Sequence, residues 1–236
     1  MSWIQNQSQR LSRLIQSQWH FADIGACVGD MTDFLLPKMK MGHLFEASPL
    51  NYQFLIKKYS YLVRNKHLKI NNCAVTKENG KGIFSLDLKD CSVGNLQTAP
   101  PYAYSSDYKE KLFEVNTINL DTYFKDKRVD FIKLDVEGAE WDVFEGARKI
   151  MSNNSIIFQV EFHWDEDWHR RSILKDLNYN IYTSKEWMGE NKNQKEFSRD
   201  FFKTNNSLFK KIPDDCPRPY QAILARKDDQ TIKSLS

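Results

Sequence analysis

Phe131-Ile132-Lys133-Leu134-Asp135-Val136-Glu137-Gly138-Ala139-Glu140-Trp141-Asp142-Val143-Phe144-Glu145-Gly146 is the stretch whose reading decides the fold. Phe131–Leu134 is a short, largely apolar run of strand character that stops on Asp135. The acidic turn Glu137-Gly138-Ala139-Glu140 follows, and then Trp141, Val143, Phe144 and Ala147 recur at spacings that line one helix face. A buried strand, a tight acidic turn and a departing helix point to an open α/β sheet, where ligands bind outside the carboxyl ends of the strands. Asp135, Glu137 and Glu140 are therefore expected at the rim of a pocket. Their alternative role is to complement the positive end of a helix dipole.

The rest of the composition is compatible with that reading. A chain of 236 residues, 28% charged and 41% hydrophobic, is the size of one large α/β domain. The formal charge is only +3 and the excess lies after residue 184, so the basic stripe of a nucleic-acid binder is missing. Cys27, Cys73, Cys91 and Cys216 share no C-x-x-C spacing, which argues against a zinc site and a small disulfide framework. Neither a secretory leader nor an apolar run approaching ~20 residues is present, so a cytoplasmic protein without a membrane span is expected.

Upstream of the central stretch, residues 1–18 carry Ile4, Leu11, Leu14 and Ile15 at helical spacing. A strand over Trp19–Ile24 then runs into Asp23-Ile24-Gly25-Ala26-Cys27-Val28-Gly29-Asp30 and a helix over Met31–Leu36. A strand, a glycine turn and a helix begin a nucleotide-binding unit, because glycine lets the backbone approach a ligand and accepts positive φ. The spacing is G-x-x-x-G and lacks the third glycine of dinucleotide enzymes, which disfavours a nicotinamide-dependent oxidoreductase. The next strand, His43–Phe45, ends on Glu46, where a carboxylate can accept from both hydroxyls of a ribose. The alternative for Glu46 is a capping or solvated carboxylate. A helix over Asn51–Val63 and a strand over Leu68–Asn71 follow, with Asn72-Cys73-Ala74-Val75 at its end near the adenine position. Ile83–Leu88 alternates like a strand of a small insertion. Residues 91–112, with Pro100-Pro101 and Tyr102, Tyr104 and Tyr108, read as a loop long enough to be a lid. Phe113–Thr117 reads as another strand and Leu120–Phe124 as a helical turn.

Downstream, Ile156–Val160 is a strand that ends in Glu161-Phe162-His163-Trp164. Glu161 and His163 share one alternation parity, so both are expected on one side, as an acid/base pair or as metal ligands. The alternative is a core histidine satisfied by a carboxylate. A helix over Asp165–Leu177 and strands over Asn180–Thr183 and Gln221–Ala225 complete the pattern, and residues 185–218 read as loop with a short helix.

The segments Asp23–Gly29, Phe45-Glu46-Ala47-Ser48-Pro49, Thr117-Ile118-Asn119-Leu120-Asp121 and Ile132–Glu140 together resemble the FkbM family of S-adenosylmethionine-dependent methyltransferases, over about residues 19–163. The resemblance implies a Rossmann-like class I methyltransferase fold: a central, mostly parallel twisted sheet flanked by helices on both faces. It also implies one domain over 1–236, with an N-terminal helix (1–18), a cofactor-binding core (19–163) and C-terminal helix, strands and loops (164–236). The cofactor would be S-adenosylmethionine. By the same resemblance, the turn Gly25-Ala26-Cys27-Val28-Gly29 holds its methionine end, Asp23 braces that turn, and Glu46, followed by Ala47, binds the ribose. Cys73 and Ala74 would cover the adenine, and Asp135 would face the amino group or the transferred methyl. Two departures stand out: the family commonly has Asn at the position of Cys27 and proline at that of Ala47.

The implied activity is O-methylation of a hydroxyl on a sugar, glycan or small natural product. His163 is expected to act as the base, steered by Glu161 or Asp135. In a metal-assisted variant, Asp135, Glu161 and His163 hold a divalent ion that lowers the pKa of the acceptor. A binding module that keeps the cofactor without transferring methyl is the rival from another class. A nucleic-acid methyltransferase is disfavoured by the dense carboxylates at 135–145 and 161–167. Acceptor identity and oligomeric state have no code in this sequence.

Overall fold

The computed structural model describes residues 11–97, 109–163, 166–188 and 209–233, together with Gln194, Lys195, Ser198 and Phe201. In chain order the strands are β1 (His20–Ile24), β2 (Met41–Glu46), β3 (Leu68–Asn72), β4 (Ala74–Val75), β5 (Gly80–Asp87) and β6 (Gly94–Leu96). They continue as β7 (Glu110–Ile118), β8 (Phe131–Leu134), β9 (Ile157–Glu161), β10 (Tyr179–Thr183), β11 (Lys210–Lys211) and β12 (Gln221–Arg226). Eight of them form one sheet in the order β11-β10-β12-β9-β8-β1-β2-β3. The run from β9 to β3 is parallel, while β12, β10 and β11 are joined antiparallel.

Alternation along the parallel strands sends successive side chains to opposite faces. Phe21 and Phe131 pack on one face with Leu35 and Leu55 from the helices Asp30–Leu35 and Pro49–Lys58. Ala22, Ile24, Ile132 and Leu134 pack on the other with Phe144, Met151 and Leu174 from the helices Glu140–Glu145, Arg148–Asn153 and Ser172–Asp176. Because both faces are covered, the central strands are buried along their length, as a parallel sheet requires.

Backbone hydrogen bonds join three strand ends at one point. Gly25 N and Ala26 N donate to Phe45 O at 3.0 and 3.1 Å, and Asp135 N donates to Ile24 O at 3.1 Å. Gly25 takes φ +75°, and a Cβ there would lie 1.8 Å from the Asp135 carbonyl oxygen, so only glycine lets these turns meet. The Ser48 hydroxyl accepts from Asn51 N at 3.3 Å and Pro49 occupies the first turn, which fixes where the next helix starts.

Several elements differ from expectation. The helix expected over 51–63 is two helices, Pro49–Lys58 and Ser60–Arg64, broken at Tyr59. The Tyr59 hydroxyl donates to Asp33 Oδ1 at 2.7 Å and lies 2.8 Å from Gly29 O, which ties this residue to the glycine turn. The helix expected over 165–177 opens as a 3-10 turn, Glu166–Arg171, before Ser172–Asp176. The stretch 91–112 contains β6 and the start of β7, which belong to a second sheet ordered β4-β7-β5-β6. There β5 pairs with β7 from Gly80↔Thr117 to Asp87↔Glu110, so the strand runs beyond the expected Phe113–Thr117. Pro100, Pro101, Tyr102, Tyr104 and Tyr108 lie outside the described residues, as do 1–10 of the expected N-terminal helix. Leu11 and Leu14 are buried against the sheet.

Candidate active site

The carboxyl ends of β1, β2, β8 and β9 open onto a cavity of about 420 Å³, a volume suited to a nucleoside-sized ligand. Gly25, Ala26, Cys27, Glu46, Ala47, Cys73, Ala74, Asp135 and Glu161 all line it. Glu46 and Asp135, 89 positions apart in sequence numbering, thus share one cavity. The small sheet forms the facing wall through Phe84, Leu86 and Leu96.

Glu46 is almost fully buried. Its Oε2 accepts from Cys27 N at 2.7 Å and its Oε1 from Ser48 N at 2.8 Å. Burial pushes its pKa up to about 7, against the pull of those two backbone donors. Cys27 takes φ +50°, a left-handed conformation that asparagine adopts more readily than cysteine. Burial and the neighbouring Glu46 raise its thiol pKa to about 12, so it is a neutral, inert thiol at physiological pH.

Lys133 holds the floor together. It is 6% exposed, and its Nζ lies 3.0 Å from Gly25 O, 3.3 Å from Asp135 Oδ2 and 3.6 Å from Asp23 Oδ1. The register explains this, because Asp23 and Lys133 are direct partners across β1 and β8. Burial works against the charge on Lys133, but Asp135 and Asp23 outweigh it and leave the pKa above the ordinary lysine range. Burial raises the pKa of Asp23, which also accepts from Thr32 Oγ1 at 2.5 Å.

Two residues expected at the cofactor do not line the cavity. Asp23 is 0% exposed and points into the Thr32–Lys133 network beneath the turn, where it braces rather than touches. Gly29 is backed by Tyr59, whose hydroxyl would lie 2.4 Å from an added Cβ.

At the cavity rim, His163 is surrounded by carboxylates. Its Nδ1 is 2.8 Å from Glu140 Oε1, and its Nε2 is 3.2 Å from Glu137 Oε2, 3.5 Å from Glu161 Oε1 and 3.7 Å from Asp135 Oδ1. Desolvation works against the imidazolium, but the bonds to Glu140 and Glu161 and the field of Asp135 raise its pKa to about 11. In this state His163 holds a proton rather than taking one up. Glu161 is fixed from behind by Gln221 Nε2 at 2.9 Å and by the Tyr220 hydroxyl.

Sequence reasoning passed over Lys133, Glu140 as a partner of His163, and Tyr220. Lys133 sits in an apolar strand, and a charge in that position was the available signal. The other two gain their places only by tertiary contact.

Parallel strands whose carboxyl ends carry a glycine turn, a buried carboxylate closing β2 and an acidic third turn fit a Rossmann-like class I methyltransferase. Residues 23–181 match the family described as Methyltransferase FkbM domain, and the chain belongs to that family of S-adenosylmethionine-dependent enzymes. A SAM-dependent O-methyltransferase from Thermotoga maritima shares the fold at TM-score 0.50 and 9% identity, over 98% of this chain and 67% of that one. Methyltransferase FkbM from Methylobacillus flagellatus KT aligns at TM-score 0.47 and 19% identity over 70% of this chain. This chain spans 39% of the length of that protein. SMU.1697c of Streptococcus mutans, solved in complex with SAH, aligns at TM-score 0.46 and 8% identity over 95% of this chain and 98% of that one. Comparison with curated proteins returns no match. Among the described residues, no helix is long and apolar enough to cross a membrane.

Proposed function

We propose that the protein methylates a hydroxyl of a sugar, glycan or small natural product, with S-adenosylmethionine held in the 420 Å³ cavity. The observation that carries this reading is the placement of Glu161 and Asp135 on the cavity wall with His163 against both. Carboxylates of this density repel a phosphate backbone but suit a neutral hydroxyl. In this reading residues 1–236 work as one domain, a reading supported by the small sheet walling the same cavity as the large one.

The backbone at Gly25-Ala26-Cys27 would receive the methionine end. Glu46, held by two backbone donors, would keep its remaining lone pairs for the ribose hydroxyls. Cys73 and Ala74, with Phe84 and Leu96 opposite, would enclose the adenine. Asp135 would face the sulfonium side, where its charge stabilises the bound cation. Transfer is an in-line displacement: the acceptor oxygen bonds the methyl carbon, the C–S electron pair returns to sulfur, and the hydroxyl proton leaves to a base. Holding oxygen and methyl collinear supplies at best roughly 7–11 kcal/mol of the barrier reduction, and a base adds about 10²–10⁴-fold.

Incubating the protein with S-adenosylmethionine and a panel of hydroxyl-bearing glycans and small molecules tests the reading. Methylated product and S-adenosylhomocysteine, detected by mass spectrometry, are expected. Cofactor binding without product from any hydroxyl would favour the binding-module reading instead.

A further inference from the structure

The carboxyl ends of two neighbouring strands, β8 and β9, aim metal-binding atoms at one point beside the cofactor cavity. Asp135 follows β8, Glu161 ends β9 and His163 lies two residues on; one ligand atom from each falls within 4.8 Å of the others. His163 Nε2 lies 3.5 Å from Glu161 Oε1 and 3.7 Å from Asp135 Oδ1. An ion about 2.1 Å from each of three donors requires separations of roughly this size, so little movement is needed to close around it.

The imidazole is also presented in the manner of a ligand. Its Nδ1 is held at 2.8 Å by Glu140 Oε1, and Glu140 is only 1% exposed and itself accepts from Gly138 N at 3.0 Å. A carboxylate behind Nδ1 that leaves Nε2 aimed at a cluster of oxygens is the arrangement that orients metal-bound histidines, and the incoming cation would displace the Nε2 proton to solvent. Asp135 Oδ1 is buried within the cluster and accepts no hydrogen bond, an orphan oxygen of the kind a cation satisfies. The ion pairs place one imidazole and one lysine against the four carboxylates of Asp135, Glu137, Glu140 and Glu161.

We propose that Asp135, Glu161 and His163 bind a divalent cation of the manganese or magnesium type, with Glu140 as the positioning residue behind the imidazole. Two carboxylates and one imidazole favour such an ion over the thiolate-seeking metals. The proposal deepens the reading of this cleft as the methyl-transfer site and rests on it for its role. Three protein donors leave coordination positions for water and the acceptor hydroxyl, whose pKa the ion would lower. The hydroxyl proton passes to Glu137, which lines the cavity and whose Oε2 lies 3.2 Å from His163 Nε2; the oxygen bonds the methyl carbon, and the C–S pair returns to sulfur.

Titrating the metal-free full chain with Mn²⁺, followed by loss of the free-ion electron paramagnetic resonance signal, tests this directly. Saturation at one Mn²⁺ per chain is expected. His163→Gln should weaken binding at least tenfold and Glu140→Gln by about 10–100-fold. A cooperative thermal melt and an unchanged far-ultraviolet circular dichroism spectrum in both variants report that they are folded. Absence of saturable Mn²⁺ uptake at millimolar concentration in wild type that binds S-adenosylhomocysteine would overturn the proposal, as would folded variants that titrate like wild type. Wild type that takes up Mn²⁺ but binds no S-adenosylhomocysteine would instead defeat the cofactor reading and leave the cation site standing.

Discussion

Replacing Lys133 with methionine is the sharpest perturbation of this architecture. Methionine keeps most of the stem and removes only the charge that binds Gly25 O, Asp135 Oδ2 and Asp23 Oδ1 at 3.0, 3.3 and 3.6 Å. Asp23 is 0% exposed, so its carboxylate would be left buried with Thr32 as its remaining donor. Removing one partner of a buried ion pair costs about 3–5 kcal/mol. A domain of this size shifts in Tm by roughly 2–4 °C per kcal/mol, so the melting temperature should fall by about 6–20 °C. The deficit also has a pH signature. In the variant the folded-state pKa of Asp23 stands above its unfolded value, so its contribution is intact at low pH and lost as pH rises. The gap to wild type should therefore narrow as pH falls. Adding Asp23→Asn to Lys133→Met should recover about 1–3 kcal/mol relative to additivity. Thermal melts by circular dichroism at several pH values measure all three effects. A loss below about 1 kcal/mol, the range of an exposed ion pair, with no pH dependence, would refute the reasoning.

Three further outcomes follow from the same site. Glu46 has a pKa of about 7 in the free protein against an ordinary value of 4.5, so S-adenosylhomocysteine affinity should rise roughly tenfold from pH 6 to pH 8 as the carboxylate ionises. The sign for stability is opposite: its contribution is complete below the unfolded pKa and lost as pH rises through 7, and calorimetry of Glu46→Gln should show both slopes flattened. Gly25→Ala forces a side chain to 1.8 Å from Asp135 O at φ +75°, and should cost about 1–3 kcal/mol of strain or more and abolish cofactor binding, read by melting and calorimetry. Cys27→Asn relieves a cysteine at φ +50° and should raise stability by about 0.5–1 kcal/mol and tighten S-adenosylhomocysteine severalfold, measured the same way.

How much of this was legible in the sequence depended on whether the signal was local. The strand Phe131–Leu134 and the acid that ends it were readable because apolar runs and their stops are written along the chain. Glu46 was readable for the same reason, since it closes β2. The second sheet was readable only in part: Ile83–Leu88 and Phe113–Thr117 read as strands, but β7 carries Lys111, Glu110 and Glu114 on exposed positions, which hides its full length and its pairing with β5. Tyr59 breaks its helix through bonds to Gly29 and Asp33, residues 30 and 26 positions away, which no local pattern encodes. The Glu140 partner of His163 lies 23 residues away across two helices and a strand. Lys133 reads locally as an interruption of a strand, and its meaning appears only when β1 is laid beside β8.

A crystal structure with S-adenosylhomocysteine tests the central claim most directly. The account places the ribose hydroxyls on Glu46, the homocysteine end on the Gly25–Cys27 backbone, and the sulfur on the side facing Asp135 and His163. Nucleoside density elsewhere on the molecule, or in this cavity with its ribose turned away from Glu46, would contradict it.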